Sequence, residues 1–319
     1  MPKWVYDGGA WKEVSGDWIY DGGVWKEIGA AWVYDGGVWK QYYTNESTVT
    51  ISSNSTNVNL RSLFDSQHGT PSSGTKARFI IASGIFVKSD STGSPALNVG
   101  NWPSGAEVIL EIGSNSIIVG RAGAGGAGGD ADDNGIANGS PGSDGGDGLY
   151  TRHPITIDSQ GVIASGGGGG GGGGAALALA RRASPLPNIP VLNIPYAAAG
   201  GGGGAGAGRS FSGGGAGGDA GGSGDQSGPG ANGQSTQGEN NPGNGGAGGF
   251  VSADVQADAG DGGDGGAQGQ DGQNGQNGSS STGDETGSGG AGGSAGISVN
   301  GESNVNYIST GTIRGSTTN

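Results

Sequence analysis

The chain has 319 residues, of which 80 are glycine, 12 proline and none cysteine, against ordinary glycine usage of about 7%. Without cysteine there is neither a disulfide framework nor a thiolate metal site. The net charge of −14, from 28 acidic and 14 basic residues, disfavours nucleic acid and anionic membrane surfaces as partners. Met1-Pro2-Lys3-Trp4 lacks an apolar signal core, and no apolar run is long enough to span a membrane. Synthesis in a cytoplasm, without conventional export or membrane insertion, is expected.

Residues 1–43 repeat with a period of 14. Trp4-Val5-Tyr6-Asp7-Gly8-Gly9-Ala10-Trp11-Lys12 recurs at Trp18 to Lys26 and at Trp32 to Lys40. Tryptophan therefore falls seven apart at Trp4, Trp11, Trp18, Trp25, Trp32 and Trp39. Asp-Gly between apolar runs predicts a two-residue hairpin turn. With Asp7-Gly8 as that turn, Trp4 faces Trp11. Regularly spaced tryptophans serve either of two ends: stacking on sugar rings, or capping a threefold-symmetric partner with one hairpin per subunit. The count of three favours the second.

Residues 44–120 carry short β-branched runs separated by Gly, Ser, Asn and Pro: Val49-Thr50-Ile51, Val58-Asn59-Leu60, Arg78 to Ile81, Ile85-Phe86-Val87, Val108 to Ile112 and Ile117-Ile118-Val119. These predict a β-sandwich or a small β-platform.

Residues 121–319 are glycine-rich. Gly260, Gly263, Gly266, Gly269, Gly272, Gly275 and Gly278 share one phase, which returns from Gly287 to Gly296. A three-residue period is neither α-helical nor β; it is that of polyproline II geometry, which has no internal hydrogen bonds. Collagen is excluded because Asp, Gln, Asn, Ala and Gly fill the slots that need proline. A flexible linker is the other reading of such composition, but the regular phase favours a bundle of threefold helices bonded to one another. The fold class expected is therefore a mostly β N-terminal part plus a sandwich of polyglycine helices, with almost no α-helix.

Glycine blocks near 122–130, 139–148, 165–174, 199–208, 213–224, 243–249, 259–278 and 287–296 predict helices running to and fro. Alternation from Arg121 places 131–138, 175–198, 225–242 and 279–286 at the far end. It places 149–164, 209–212, 250–258 and 297–319 at the end nearest the β-platform. Segment 175–198 is the most apolar stretch of this half and carries four prolines. Stiffening lowers the entropy lost on binding, and an apolar loop at the tip of a rigid scaffold reads as a recognition surface. Its candidates are Leu177, Leu179, Arg181, Arg182, Leu186, Ile189, Val191, Leu192, Ile194 and Tyr196. A local apolar plug is the bland alternative.

No catalytic constellation appears. His68 and His153 lack nucleophile or carboxylate partners in sequence, and Gly-Lys-Ser/Thr follows no glycine run. Asp130 to Asp133 and Asp261 to Asp264 lack the nonapeptide period of calcium repeats. Neither cofactor nor metal is expected.

Ile157-Asp158-Ser159-Gln160-Gly161-Val162-Ile163-Ala164-Ser165 runs into nine glycines, Gly166 to Gly174, and Asn101 to Val108 leads through Ile118-Val119-Gly120-Arg121 into another block. These junctions resemble those of the tip adhesins of T-even-type bacteriophage long tail fibres, over about 44–319. The resemblance implies a sandwich of polyglycine II helices whose distal loops bind an outer-membrane protein of the host. It implies a virion protein, one copy per fibre tip, whose N-terminal part attaches to a trimeric tail-fibre protein. The hairpin repeats differ from the attachment sequence of that group. The reading is thus a non-enzymatic receptor-binding adhesin with three parts: 1–43 for fibre attachment, 44–120 as β-platform, and 121–319 as glycine sandwich with recognition loops and C-terminal strands. A carbohydrate-binding module using the tryptophans, or a structural or ice-binding protein, are the alternatives.

Overall fold

The computed structural model describes the chain except residues 1–2, 8–9, 15–17, 22, 28–29, 36–37, 45, 133–134, 183–191, 208–226, 229, 235–240 and 253–254. In the N-terminal repeats it describes chiefly backbone pairing. Lys3–Asp7 pairs antiparallel with Ala10–Val14, Trp18–Asp21 with Val24–Glu27, and Ala30–Asp35 with Val38–Thr44. The register corrects the expected turn. Asp7 lies opposite Ala10, so Tyr6 faces Trp11 and Trp4 faces Glu13; Tyr20 likewise faces Trp25, and Tyr34 faces Trp39. Asp7 is thus a strand residue. Gly23, with φ of 84°, takes the left-handed backbone that glycine adopts freely.

From Glu46 the chain winds as a parallel solenoid. The described residues make five coils, each with three sides. The first coil is Glu46–Ile51, Ser55–Thr56 and Val58–Asn59; the second is Lys76–Ile81, Phe86–Lys88 and Leu97–Asn98. The third is Glu107–Ile112, Ile117–Val119 and Leu149–Tyr150. In the fourth, Ile155–Ala164 supplies two sides and Ile297–Asn300 the third; in the fifth, Val305–Arg314 and Ser316–Thr318 do the same. Every pairing between successive coils is parallel. An antiparallel sandwich is therefore not formed: the turn-rich connections are corners that keep the chain winding, not hairpins that reverse it.

Parallel register stacks like on like. Val49, Phe79, Leu110 and Ile157 form one column inside the coils, all buried. Full burial of such side chains stabilises by about 1.5–3 kcal/mol each. Outside, Arg78 bridges Glu46 of the previous coil and Glu111 of the next, and its bond to Glu46 holds the guanidinium pKa above its ordinary value. The α-helix Leu60–His68 follows the first coil. Asn59 caps it by accepting the Ser62 N–H at 3.0 Å, and its buried Phe64 packs edge-on to Trp102, centroids 5.2 Å apart.

The glycine-rich segments leave the solenoid from one corner. In the third coil the chain departs after Val119 and returns at Leu149; in the fourth it departs after Ala164 and returns at Ile297. The pairing continues outward. The Gly120 N–H donates to the Ala164 carbonyl, then Gly123, Gly126 and Gly129 donate to Gly167, Gly170 and Gly173. Hydrogen bonds recur at every third residue, and successive residues serve different neighbours. Gly166, Gly169 and Gly172 donate to 140–146; Gly167, Gly170 and Gly173 to 201–207; Gly168, Gly171 and Gly174 to 270–276. This satisfies the backbone groups that a threefold helix leaves unpaired internally.

Segment 166–174 sits at the centre. It exchanges backbone bonds with six others: 122–129, 139–146, 201–207, 260–266, 270–276 and 287–296. A methyl group on Gly170, Gly171 or Gly172 would lie 1.9–2.0 Å from the carbonyl oxygen of Gly263, Gly290 or Ala127, each on a different segment. All three sides are closed, so every residue is glycine. Segment 260–266 has two closed sides and glycine at two positions in three; 270–278 has one, with glycine at one in three. On its remaining positions Asp271, Asn274 and Asn277 accept the N–H groups of Ala295, Gly292 and Gly289 at 2.7–2.9 Å. Asp261 and Asp264 do the same for Gly248 and Gly245 at 2.8 Å.

Candidate functional site

The bond directions fix which way each segment runs. Segments 166–174 and 270–278 are parallel to each other, while 199–207, 260–266 and 287–296 run against them. The connections 130–138, 175–198, 250–258 and 279–286 therefore gather at the end away from the solenoid. Two expectations are corrected here. Residues 225–242 are not a single loop, because 230–234 runs alongside 199–207, with Gly202 and Ala205 donating to Ala231 and Gln234. Residues 259–278 are two segments, not one, folded at Gly269 with φ of 74° beside Gly315. Each miscount reverses direction, so 250–258, expected beside the platform, lies at the far end; the second reversal restores 279–286.

At that end Ala176–Arg182 and Leu192–Ala198 form an antiparallel hairpin, to which Ser227–Gly228 adds a parallel pair. Its base is covered on both faces. Ala176, Ala178 and Ala198 pack with Ala257, Ala259, Val251 and Val255. Ala175, Leu177 and Ala197 pack with Ala131 and Ile136. The first cover is the sheet Phe250–Ser252, Gln256–Asp258 and Ser279–Ser280; the second is the small hairpin Ala131–Asp132 with Gly135–Ile136. Alanine at these positions lets the layers approach closely.

This sorts the predicted recognition residues. Leu177 is 6% exposed and packs in the base of the hairpin. Leu179 and Tyr196 are half-buried. Arg181, Arg182, Leu192 and Ile194 lie further along the two strands, while Leu186, Ile189 and Val191 fall outside the described residues. Trp4, Trp11, Trp18, Trp25, Trp32 and Trp39 all lie on strands of the N-terminal hairpins. Phe250 was missed. It is 54% exposed, pointing outward where its neighbour Val251 points into the base cluster. A lone aromatic ending a glycine block was the available signal, masked by the miscounted direction.

The two histidines are occupied structurally. His68 Nε2 meets the Thr48 carbonyl at 3.2 Å and His153 Nε2 the Ala106 carbonyl at 3.1 Å. Among the described residues no helix is long and apolar enough to cross a membrane.

The described residues thus form a β-solenoid that carries a layer of glycine segments, with loops gathered at their outer end. Residues 46–185 match the family model of the phage tail fibre adhesin Gp38. The crystal structure of the gp37-gp38 adhesin tip complex of the bacteriophage S16 long tail fiber is similar with a TM-score of 0.47 and 24% identity, over 86% of this chain and 83% of that one. No curated protein matches the chain.

Proposed function

We propose that this chain is the non-enzymatic receptor-binding adhesin at the tip of a phage tail fibre, recognising a host outer-membrane protein through the loops of the far end. Residues 1–43 attach it to the trimeric tail-fibre protein, one copy per tip. The observation that carries the reading is the hairpin 176–198, clamped at its base on both faces by other tip loops. A clamped base fixes the two strands before contact, so little ordering entropy is lost there on binding. The exposed ring of Phe250 adds an apolar anchor of the kind that dominates binding energy.

The test is adsorption of virions carrying the chain without residues 183–191. That deletion spares the packed base, unlike removal of 175–198. Adsorption is expected to fall at least about tenfold, the loss that follows removal of roughly 1.4 kcal/mol of binding. Normal adsorption by intact virions of this variant overturns the assignment. Pull-down of host outer-membrane proteins by the full chain then distinguishes a protein receptor from a glycan.

A further inference from the structure

The hairpin 176–198 has a third support that neither apolar cluster provides. Ala176 forms an isolated antiparallel bridge with Thr286. One rung outward, the Leu177 N–H donates to the Glu285 carbonyl at 2.9 Å. At the next rung the backbone of the neighbouring loop has turned away, and a side chain takes its place: the Leu179 N–H donates to Asp284 Oδ2 at 2.9 Å. The same carboxylate oxygen accepts the Thr282 hydroxyl. Gly283 between them has φ of 68°, with nothing within 4 Å of where a methyl group would stand. The turn thus exists to aim Asp284 back at the strand.

We propose that Asp284 is a positioning residue for recognition, and that 279–286 and the paired strands 176–182 and 192–198 act as one specificity unit although they are about a hundred residues apart in sequence. This rests on the adhesin reading above. The carboxylate extends the ladder by one rung and so fixes where the hairpin leaves its scaffold. Leu179 is half-buried, so its N–H is partly shielded from water, and a charge-assisted bond is the strong kind. Without it the contact with 279–286 ends at Leu177, and the direction in which the paired strands leave the scaffold is less fixed. An exchange of the hairpin alone between adhesins of different specificity would therefore transfer specificity poorly unless 279–286 moved with it.

The experiment compares virions carrying Asp284→Ala, Asp284→Asn and the deletion of 183–191, with melting and amide exchange measured on the full chain. Asparagine keeps an acceptor oxygen; alanine does not. The expected result for Asp284→Ala is an adsorption rate lowered about tenfold, the equivalent of one hydrogen bond to a charged group, with an unchanged melting temperature and faster exchange at the Leu179 amide. Asp284→Asn should restore adsorption to within about threefold of wild type, since a neutral bond is roughly half as strong. A merely structural role predicts a lowered melting temperature in step with adsorption, and that result overturns the proposal. Wild-type adsorption by Asp284→Ala also overturns it when the deletion variant fails to adsorb, and leaves the adhesin reading standing. Wild-type adsorption by the deletion variant removes both.

Discussion

Phe79 and Gly170 are both fully buried, but by different atoms. Phe79 lies in a column of side chains, Val49 on one coil and Leu110 on the other. Gly170 is surrounded by carbonyl groups of neighbouring segments. The solenoid is stabilised by removing apolar surface from water. The glycine layer has almost no apolar surface to remove, and it offsets the high ordering entropy of glycine with backbone hydrogen bonds at every third residue. One region tolerates no missing atoms and the other no added ones.

That contrast gives opposite expectations for substitution. Phe79→Ala opens a cavity in the column and should cost about 3–5 kcal/mol in denaturant unfolding. Gly170→Ala adds a single methyl group that would lie 1.9 Å from the Gly263 oxygen. Backbone must move on two segments to admit it, so the expected cost is about 3 kcal/mol or more, at the upper end for overpacking. Gly283→Ala separates packing from conformation: φ is 68° but the space is open. Its cost is expected at about 1–2 kcal/mol, the left-handed penalty alone. Similar destabilisation by Gly170→Ala and Gly283→Ala would mean that close backbone contact does not govern the layer.

A smaller effect tests the outer segments, where side chains replace backbone. Asp264 accepts the Gly245 N–H. Asp264→Ala leaves that donor to water and should cost about 1 kcal/mol, and Asp264→Asn less. Equal melting temperatures for Asp264→Ala and the wild type would show that these acidic residues serve solubility, not cohesion.

The comparison also explains what could be read from the sequence. Period-three glycine is a local geometric demand, so the threefold segments announce themselves from Gly260 to Gly278. The same regularity hid the fold at Gly269, because the phase passes through that turn without a break and Gly269 is itself in register. The β-branched runs before Val119 were visible as strands, but a solenoid and a sandwich differ in pairing partners, and nothing local to Val87 or Ile118 names the partner. The helix Leu60–His68 had its signals, an Asn59 cap and apolar Leu60 and Phe64 four apart, but Val58-Asn59-Leu60 reads as a strand when taken alone. At the tip, Leu177 looked exposed because it sits in an apolar loop. Its burial depends on Ala131 and Ile136, some forty residues earlier in the chain. Asp284 showed in the sequence only as a break in the glycine phase, since its role is a bond across about a hundred residues.

The weakest expected effect lies at the last coil, where the solenoid has only one neighbour to lean on. Tyr307 is half-buried against the core and its hydroxyl donates to Glu302 Oε2 at 3.1 Å. Burial, with the negative charge of Glu302 beside it, pushes the phenol pKa well above its ordinary value of 10.0. The unfolded chain therefore releases this proton at lower pH than the folded one. Below about pH 10 both states hold the proton and the site adds no pH dependence; above it the unfolded state binds fewer protons, so stability falls as pH rises. Tyr307→Phe loses the bond to Glu302, about 0.5–1.5 kcal/mol at neutral pH, but should flatten the alkaline fall. Melting curves between pH 8 and 11 measure both. Parallel declines in the two proteins would assign the alkaline sensitivity elsewhere, the glycine layer being excluded because neither its backbone groups nor the aspartate and asparagine side chains that accept from them titrate in that range.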